Sequence, residues 1–272
     1  MGLYHLGSAL RSNRSSGRPL KTVWKTLDEA TAVFRKPQLV LIASAPGGGK
    51  SAFALNLAVK SEASCLYFSA DSGPGTQLTR TVSILTGRET GEVQRAMEKG
   101  YTFDTELEPV SRIWWEFDAG PSMDLIEKSI TAHGYLGAYP DMCVIDNLLN
   151  VDPGEEGNEY KSMENVLLFG LELARKRNMC VVVLAHLTGE YEDGTTIPPL
   201  SGLRGKVSKV PEMVLTLFRE ETLLGTEDMG VAIVKNRDGI ANAAGRHTVS
   251  LRMDLNRMAI EDHHNIPTLQ AA

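Results

Sequence analysis

Short apolar runs alternate along this chain with stretches of helical periodicity. Runs at 39–43, 65–69, 113–117, 142–145, 180–184, 213–218 and 231–234 are mostly continuous rather than alternating. Continuous apolar strands are what a sheet covered on both faces requires. Between them, 51–60, 76–86, 92–99, 123–132 and 162–177 read as helices, and 22–34 shows helical spacing ahead of the first strand. Strand and helix in alternation predict an α/β fold, a mostly parallel twisted sheet flanked by helices. The sequence shows no internal repeat.

The ends differ from this pattern. Residues 1–24 begin rich in Ser, Gly and Arg and read as a flexible arm, 25–262 as one large domain, and 263–272 as a flexible tail. In the arm, Leu3, Tyr4, Leu6 and Leu10 form a small apolar cluster that would dock on a neighbour; a disordered tail is the alternative reading. Hydrophobic residues make up 42% of the 272, enough for a sizeable core. No apolar run approaches the roughly 20 residues of a membrane helix, and the N-terminal segment lacks the apolar stretch of a signal peptide. A cytoplasmic protein without membrane contact is expected. Cys65, Cys143 and Cys180 fall in the apolar runs with no zinc spacing and read as reduced core residues. A net charge of -6 counts against a broad basic surface, so any nucleic-acid contact must come from a local patch.

The strongest chemical signal is LVLIASAPGGGKSAFALNLA at 39–58. A strand leads into Pro46, Gly47, Gly48, Gly49, Lys50, Ser51 and Ala52, and a helix follows. Glycines let successive backbone N–H groups turn inward around an anion, and the helix N-terminus adds partial positive charge. Lys50 would reach the β- and γ-phosphates of ATP, and Ser51 would hold Mg2+. The strict phosphate-loop pattern has Gly where this chain has Ser44, and a plain Gly-rich turn is the alternative. A second element, MCVIDN at 142–147, is a strand ending in Asp146, placed to deliver a carboxylate to Mg2+.

Together these segments resemble the RecA-like P-loop ATPase core of DnaB-type replicative helicases, over roughly residues 25–262. That family also lacks the first Gly of the phosphate loop. The resemblance implies a catalytic carboxylate at Asp71 in LYFSADSGPGTQLTR, one methylene shorter than the family's glutamate; a helix-capping Asp is the alternative. It implies a γ-phosphate sensor at His186, closing VVVLAH, where the family usually has Gln; a structural histidine is the alternative. Lys235 and Arg237 in VAIVKNRDG resemble the cations that the family sends into a neighbouring subunit's nucleotide, and at i and i+2 they share one side of a strand. GLRGKVSK resembles the DNA-facing loop, with Arg204, Lys206 and Lys209 contacting single-strand phosphates; an ordinary solvated loop is the alternative. The implied partners are single-stranded DNA and further copies of the chain, in a hexameric ring or helical filament. About 25 residues precede the core, where the replicative helicases carry a helical domain.

Three functions follow from these residues. The first is an ATP-driven motor or remodeller acting on single-stranded DNA in replication or recombination. A metal-dependent nuclease on the same scaffold is the second, with Asp104, Glu106, Glu108, Glu155 and Glu156 as available carboxylates in no recognisable nuclease spacing. The third is a non-hydrolysing assembly protein switched by ATP.

Overall fold

The computed structural model describes residues 17–154, 159–203, 207–221 and 227–263. It opens with β1 (Arg18–Pro19), α1 (Lys25–Glu29), β2 (Arg35–Lys36) and β3 (Gln38–Ser44). Then come α2 (Lys50–Lys60), β4 (Cys65–Ser69), α3 (Pro74–Thr86), α4 (Thr90–Glu98), α5 (Asp104–Leu107), β5 (Ile113–Glu116) and α6 (Met123–Tyr135). The chain continues through β6 (Met142–Asp146), α7 (Glu159–Arg177), β7 (Cys180–His186), β8 (Met213–Glu221), β9 (Glu227–Asn236), β10 (Thr248–Asp254) and β11 (Ala259–Glu261).

Nine strands form one sheet in the order β11-β10-β9-β8-β3-β7-β6-β4-β5. The pairings from β8 through β3, β7, β6 and β4 to β5 are parallel. Strand β3 is buried at every position, and its side chains divide by parity between two cores. Leu39, Leu41 and Ala43 pack on the side of α6 and α7; Val40 and Ile42 pack on the side of α2. Strand β7 divides the same way, which is why both read as unbroken apolar runs. The three cysteines are buried and unpaired with one another.

The antiparallel extension through β9, β10 and β11 goes beyond the single strand expected at 231–234. In β10 only Leu251 is buried, so its one-sided burial leaves a weak apolar signal. The helix expected over 22–34 is only five residues long. Thr31 takes a left-handed backbone (φ 66°), and the turn lets Phe34 enter the core.

The arm boundary expected at residue 24 falls inside packed chain. Strand β1 pairs antiparallel with β2, and Leu20 and Trp24 are buried. Trp24 stacks on Phe53 of α2 with centroids 4.3 Å apart, and its indole N–H donates to the Ile260 carbonyl at 3.0 Å. One side chain thus ties the start of the domain to the nucleotide-loop helix and to the last strand. Leu3, Tyr4, Leu6 and Leu10 lie outside the described residues.

Truncating Trp24 removes the stack and its hydrogen bond to Ile260, leaving that carbonyl to Lys60 alone. Trp24→Ala is expected to lower unfolding free energy by about 3 kcal/mol or more in denaturant titration. A loss near zero would make residues 17–24 peripheral to the body.

Candidate active site

The carboxyl ends of the parallel strands lie along one edge, and the sheet order sets what meets there. Ser44 ends β3, and His186 ends β7 directly beside it in register. Asp146 ends β6, opposite Ser69 at the end of β4, and Asp71 follows two residues later. Helix α2 crosses β3, β7 and β6, which carries Lys50 and Ser51 over to Asp146.

Between β3 and α2 the chain turns tightly. Gly48 N–H donates to the Ala45 carbonyl at 3.0 Å, and Phe53 N–H donates to Gly49 at 2.8 Å. Gly47 and Gly49 have φ of 70° and 86°, left-handed values that disfavour any side chain. Gly48 meets a different limit. A Cβ there would lie 3.0 Å from the Ala45 carbonyl and from the Ser44 side chain. Ser44 is buried, and its hydroxyl donates to the Ala45 carbonyl at 2.8 Å. The serine at this position is therefore accommodated because Gly48 leaves it room. Helix α2 has no side-chain cap and no acid in its first turn, so its N-terminal N–H groups face the cleft.

That cleft, about 390 Å³, is lined by the loop from Gly47 to Ala52, by Asp71, Ser72 and Arg80, and by Leu255 and Met258 from the turn between β10 and β11. Pro46 is exposed at the loop's outer side. Burial lowers the Lys50 ammonium's pKa, while Asp146 and Asp71 partly restore it. Burial pushes the Asp146 carboxyl up; the Ser51 hydroxyl donates to it, and Lys50 and Arg80 also favour its charge. The Tyr67 hydroxyl stands 3.5 Å from Asp146 Oδ2. Asp146 Oδ1 is buried without a hydrogen-bond partner among the described residues. An acceptor oxygen left bare next to a serine hydroxyl fits a divalent cation.

Several residues in or beside the cleft are given no role by the sequence. Arg80 projects from α3 into the cleft and donates to the Ser72 hydroxyl at 3.2 Å. Arg219 of β8 donates to the Gly47 carbonyl at 2.9 Å, and its backbone N–H donates to Gly194 at 2.7 Å. Asn147 donates to Asp71 Oδ2 at 2.6 Å. Each carries a polar group on an element whose sequence is otherwise ordinary. Leu255 and Met258 give the cleft its one apolar wall.

The structure does not bring Lys235 and Arg237 to this edge. Lys235 pairs with Val214 at the start of β8, and β8 runs parallel to β3. The pair therefore sits near the amino end of the sheet, four or five strand residues from the phosphate loop, on the order of 15 Å. Both share one side, as their spacing requires. Lys235 Nζ donates to the Ser208 and Lys209 carbonyls at 2.7 and 2.9 Å, and Arg237 donates to the Lys209 carbonyl at 3.3 Å. Burial lowers the Lys235 pKa, the Arg237 charge adds to that, and Glu212 opposes it. Lys209 is exposed at the end of the Val207–Lys209 turn. Arg204 and Lys206 lie outside the described residues, as do Glu155 and Glu156. Asp104, Glu106 and Glu108 lie on or just after α5, and none of them lines the phosphate cleft. Among the described residues no group of three or more His, Cys, Asp or Glu could hold a metal ion, and no helix is long and apolar enough to cross a membrane.

Comparison with known proteins bears on this site. Residues 19–251 match the family described as DnaB-like helicase C terminal domain. The Gene 65 protein of Mycobacterium phage L5 is 38% identical over 265 residues, covering 96% of this chain and 99% of that protein. A probable plasmid replicative DNA helicase of Chlamydia trachomatis is 26% identical over 230 residues, 80% of this chain and 50% of that protein. Among solved structures, one described as an ATPase domain superposes with a TM-score of 0.78 at 20% identity, covering 95% of this chain and 96% of that one. A DnaB-like replicative helicase, solved in a study of its interactions with primase, gives the same TM-score and identity over 95% of this chain and 65% of its own.

The loop geometry makes a direct prediction. Gly49→Ala puts a methyl group at φ 86° and 2.6 Å from Met229 Cε. The backbone strain alone is about 1–2 kcal/mol. Affinity for a fluorescent ATP analogue is expected to fall about tenfold or more, with the far-ultraviolet spectrum unchanged. Unaltered affinity would show that this loop does not hold phosphate.

Proposed function

The chain belongs to the family of DnaB-like helicase C-terminal domains, and we propose that it is a Mg2+-dependent ATPase that works as a homo-oligomer and moves single-stranded DNA during replication. The observation that carries this reading is a division of charge. Lys50, Ser51, Asp71 and Asp146 meet in one cleft, while Lys235 and Arg237 stand at the other end of the sheet. The chain spans about half the length of the chlamydial relatives, so what those whole proteins do reaches this one only as part of the proposal.

In this reading the inward N–H groups of residues 47–52 bind the phosphates, and Lys50 holds the β- and γ-oxygens. Ser51 and the bare oxygen of Asp146 would hold Mg2+, which supplies charge neutralisation at the transferring phosphoryl group. Asp71 orients the attacking water. His186, between the loop and Asp146 along the strand ends, reports the presence of the γ-phosphate. Leu255 and Met258 offer an apolar face for the base.

Lys235 and Arg237 cannot serve their own cleft from the far end of the sheet. They serve a neighbour's, as the family resemblance implies, and this requires an oligomer. Arg204, Lys206 and Lys209 contact the strand's phosphates and carry no sequence information. A physical link joins the two activities. The segment after β7, which leads to residue 204, packs Gly194 against Ala45, and Arg219 bonds both Gly194 and Gly47.

Lys50→Ala and Arg237→Ala are each expected to assemble but to hydrolyse ATP poorly, the arginine supplied in trans being worth a factor of about 10³ or more. Mixed oligomers of the two variants should regain turnover, because one subunit keeps its phosphate loop and the other its cations. Co-assembly without recovery would sink the trans arrangement.

For the DNA loop, Arg204→Ala with Lys206→Ala is expected to weaken single-strand binding for every sequence and to flatten its salt dependence. An unchanged salt slope would remove the loop from the binding surface.

A further inference from the structure

We propose that Asn147 is a positioning residue that fixes the Asp71 carboxylate over the phosphate cleft. The proposal rests on the reading of Asp71 as the water-orienting group. Asn147 follows Asp146 directly and is only 4% exposed. Its Oδ1 accepts the Leu149 backbone N–H at 3.0 Å, capping the short turn Leu148–Asn150. That bond decides which end of the amide is oxygen, because a backbone N–H needs an acceptor. The NH2 group is thereby aimed outward, and it donates to Asp71 Oδ2 at 2.6 Å.

Asp71 needs such a partner. It is exposed, and it lies on the turn between β4 and α3. The turn itself is tied down on its flanks, with the Ser69 hydroxyl donating to the Ser72 carbonyl at 2.7 Å and Gln77 donating to Ser69 at 2.8 Å. Those bonds hold backbone and neighbours, not the carboxylate. Among the described residues, Asn147 is the one side chain that hydrogen-bonds Asp71. A short exposed aspartate held at one oxygen keeps the other available for water. Because Asn147 is attached to Asp146, the water-orienting group and the candidate metal ligand are registered by one rigid strand end. A charge-assisted bond of this length is of the stronger kind.

The amide's two roles can be separated. Asn147→Asp keeps an acceptor for Leu149 but offers Asp71 no donor. Its kcat is expected to fall at least tenfold. Its Kd for the fluorescent ATP analogue, and the Mg2+ dependence of that binding, should stay within twofold. Asn147→Ala loses the cap as well and should unfold at a lower temperature than Asn147→Asp. A paired exchange, Asp71→Asn with Asn147→Asp, restores a bond with donor and acceptor swapped. Its thermal midpoint should exceed that expected from adding the two single changes, although turnover stays lost. Wild-type turnover in Asn147→Asp, alongside an inactive Asp71→Asn, would overturn the positioning role and leave Asp71 as the water-orienting group. A tenfold loss of analogue affinity at unchanged kcat would overturn it too. Wild-type turnover in Asp71→Asn would overturn both.

Discussion

A parallel sheet covered on both faces can offer solvent only its strand ends. In this protein β3, β7 and β6 are buried along their length, so functional polar groups have to collect where those strands stop. Ser44, His186 and Asp146 are terminal residues of three neighbouring strands, and the phosphate loop continues one of them. Chains of this class bind ligands at the carboxyl edge, where connections leave in opposite directions. Here β3 is that point: the chain leaves it toward β4 on one side, and β8 later joins it on the other. The site is a consequence of burying the rest.

Burial also sets the site's electrostatics. Lys50 and Asp146 are each partly withdrawn from water, and burial shifts each pKa toward the neutral form. The Asp146 and Asp71 charges oppose that shift at Lys50, and the Ser51 hydroxyl with the Lys50 and Arg80 charges opposes it at Asp146. Arg80 and Asp71 extend the alternation, so cations and carboxylates face one another across the cleft without an isolated charge of either sign. The Mg2+–triphosphate of the proposed function would bring both signs at once to these four groups. Ser44 and Gly48 show the steric side of the same economy. The serine fills the space that Gly48 leaves empty, which explains how this loop does without the glycine of the strict pattern.

The core of this design was legible in the residues. Continuous apolar runs marked the buried strands, three glycines before Lys50 marked the loop, and a strand ending in Asp146 marked its partner. The missing parts share a cause, since their roles depend on packing across long sequence separations. Arg80 reads as one polar position on an amphipathic helix, and only the angle of α3 turns it toward the cleft. Arg219 sits in a strand end whose neighbour in space is Gly47. Leu255 and Met258 fall in a short turn between β10 and β11, and β10 itself hides behind one-sided burial. Trp24 reads as one apolar position in a helix that in fact starts after it. Its stack on Phe53 carries the domain's start further toward the N-terminus than composition suggested.

The same geometry keeps the cations at 235 and 237 away from the chain's own cleft. Antiparallel pairing of β9 with β8 carries the chain from the phosphate-loop edge back to the opposite edge, and Lys235 and Arg237 come at its end. There they hold the carbonyls of Ser208 and Lys209, the segment that closes the basic loop. A guanidinium or ammonium offered a neighbour's phosphate would meet a stronger acceptor than a peptide carbonyl. Under the proposed function, the groups offered to a neighbour's nucleotide would also hold Ser208 and Lys209, next to the proposed DNA contacts. At the carboxyl end of β8, Arg219 joins Gly194, near the start of that same segment, to Gly47. The connection from β7 to β8 is thus held near its start through Arg219 to Gly47 and near its end by Lys235 and Arg237. With Lys235 and Arg237 serving a neighbour, as proposed, that one segment would answer at its two ends to two different sites.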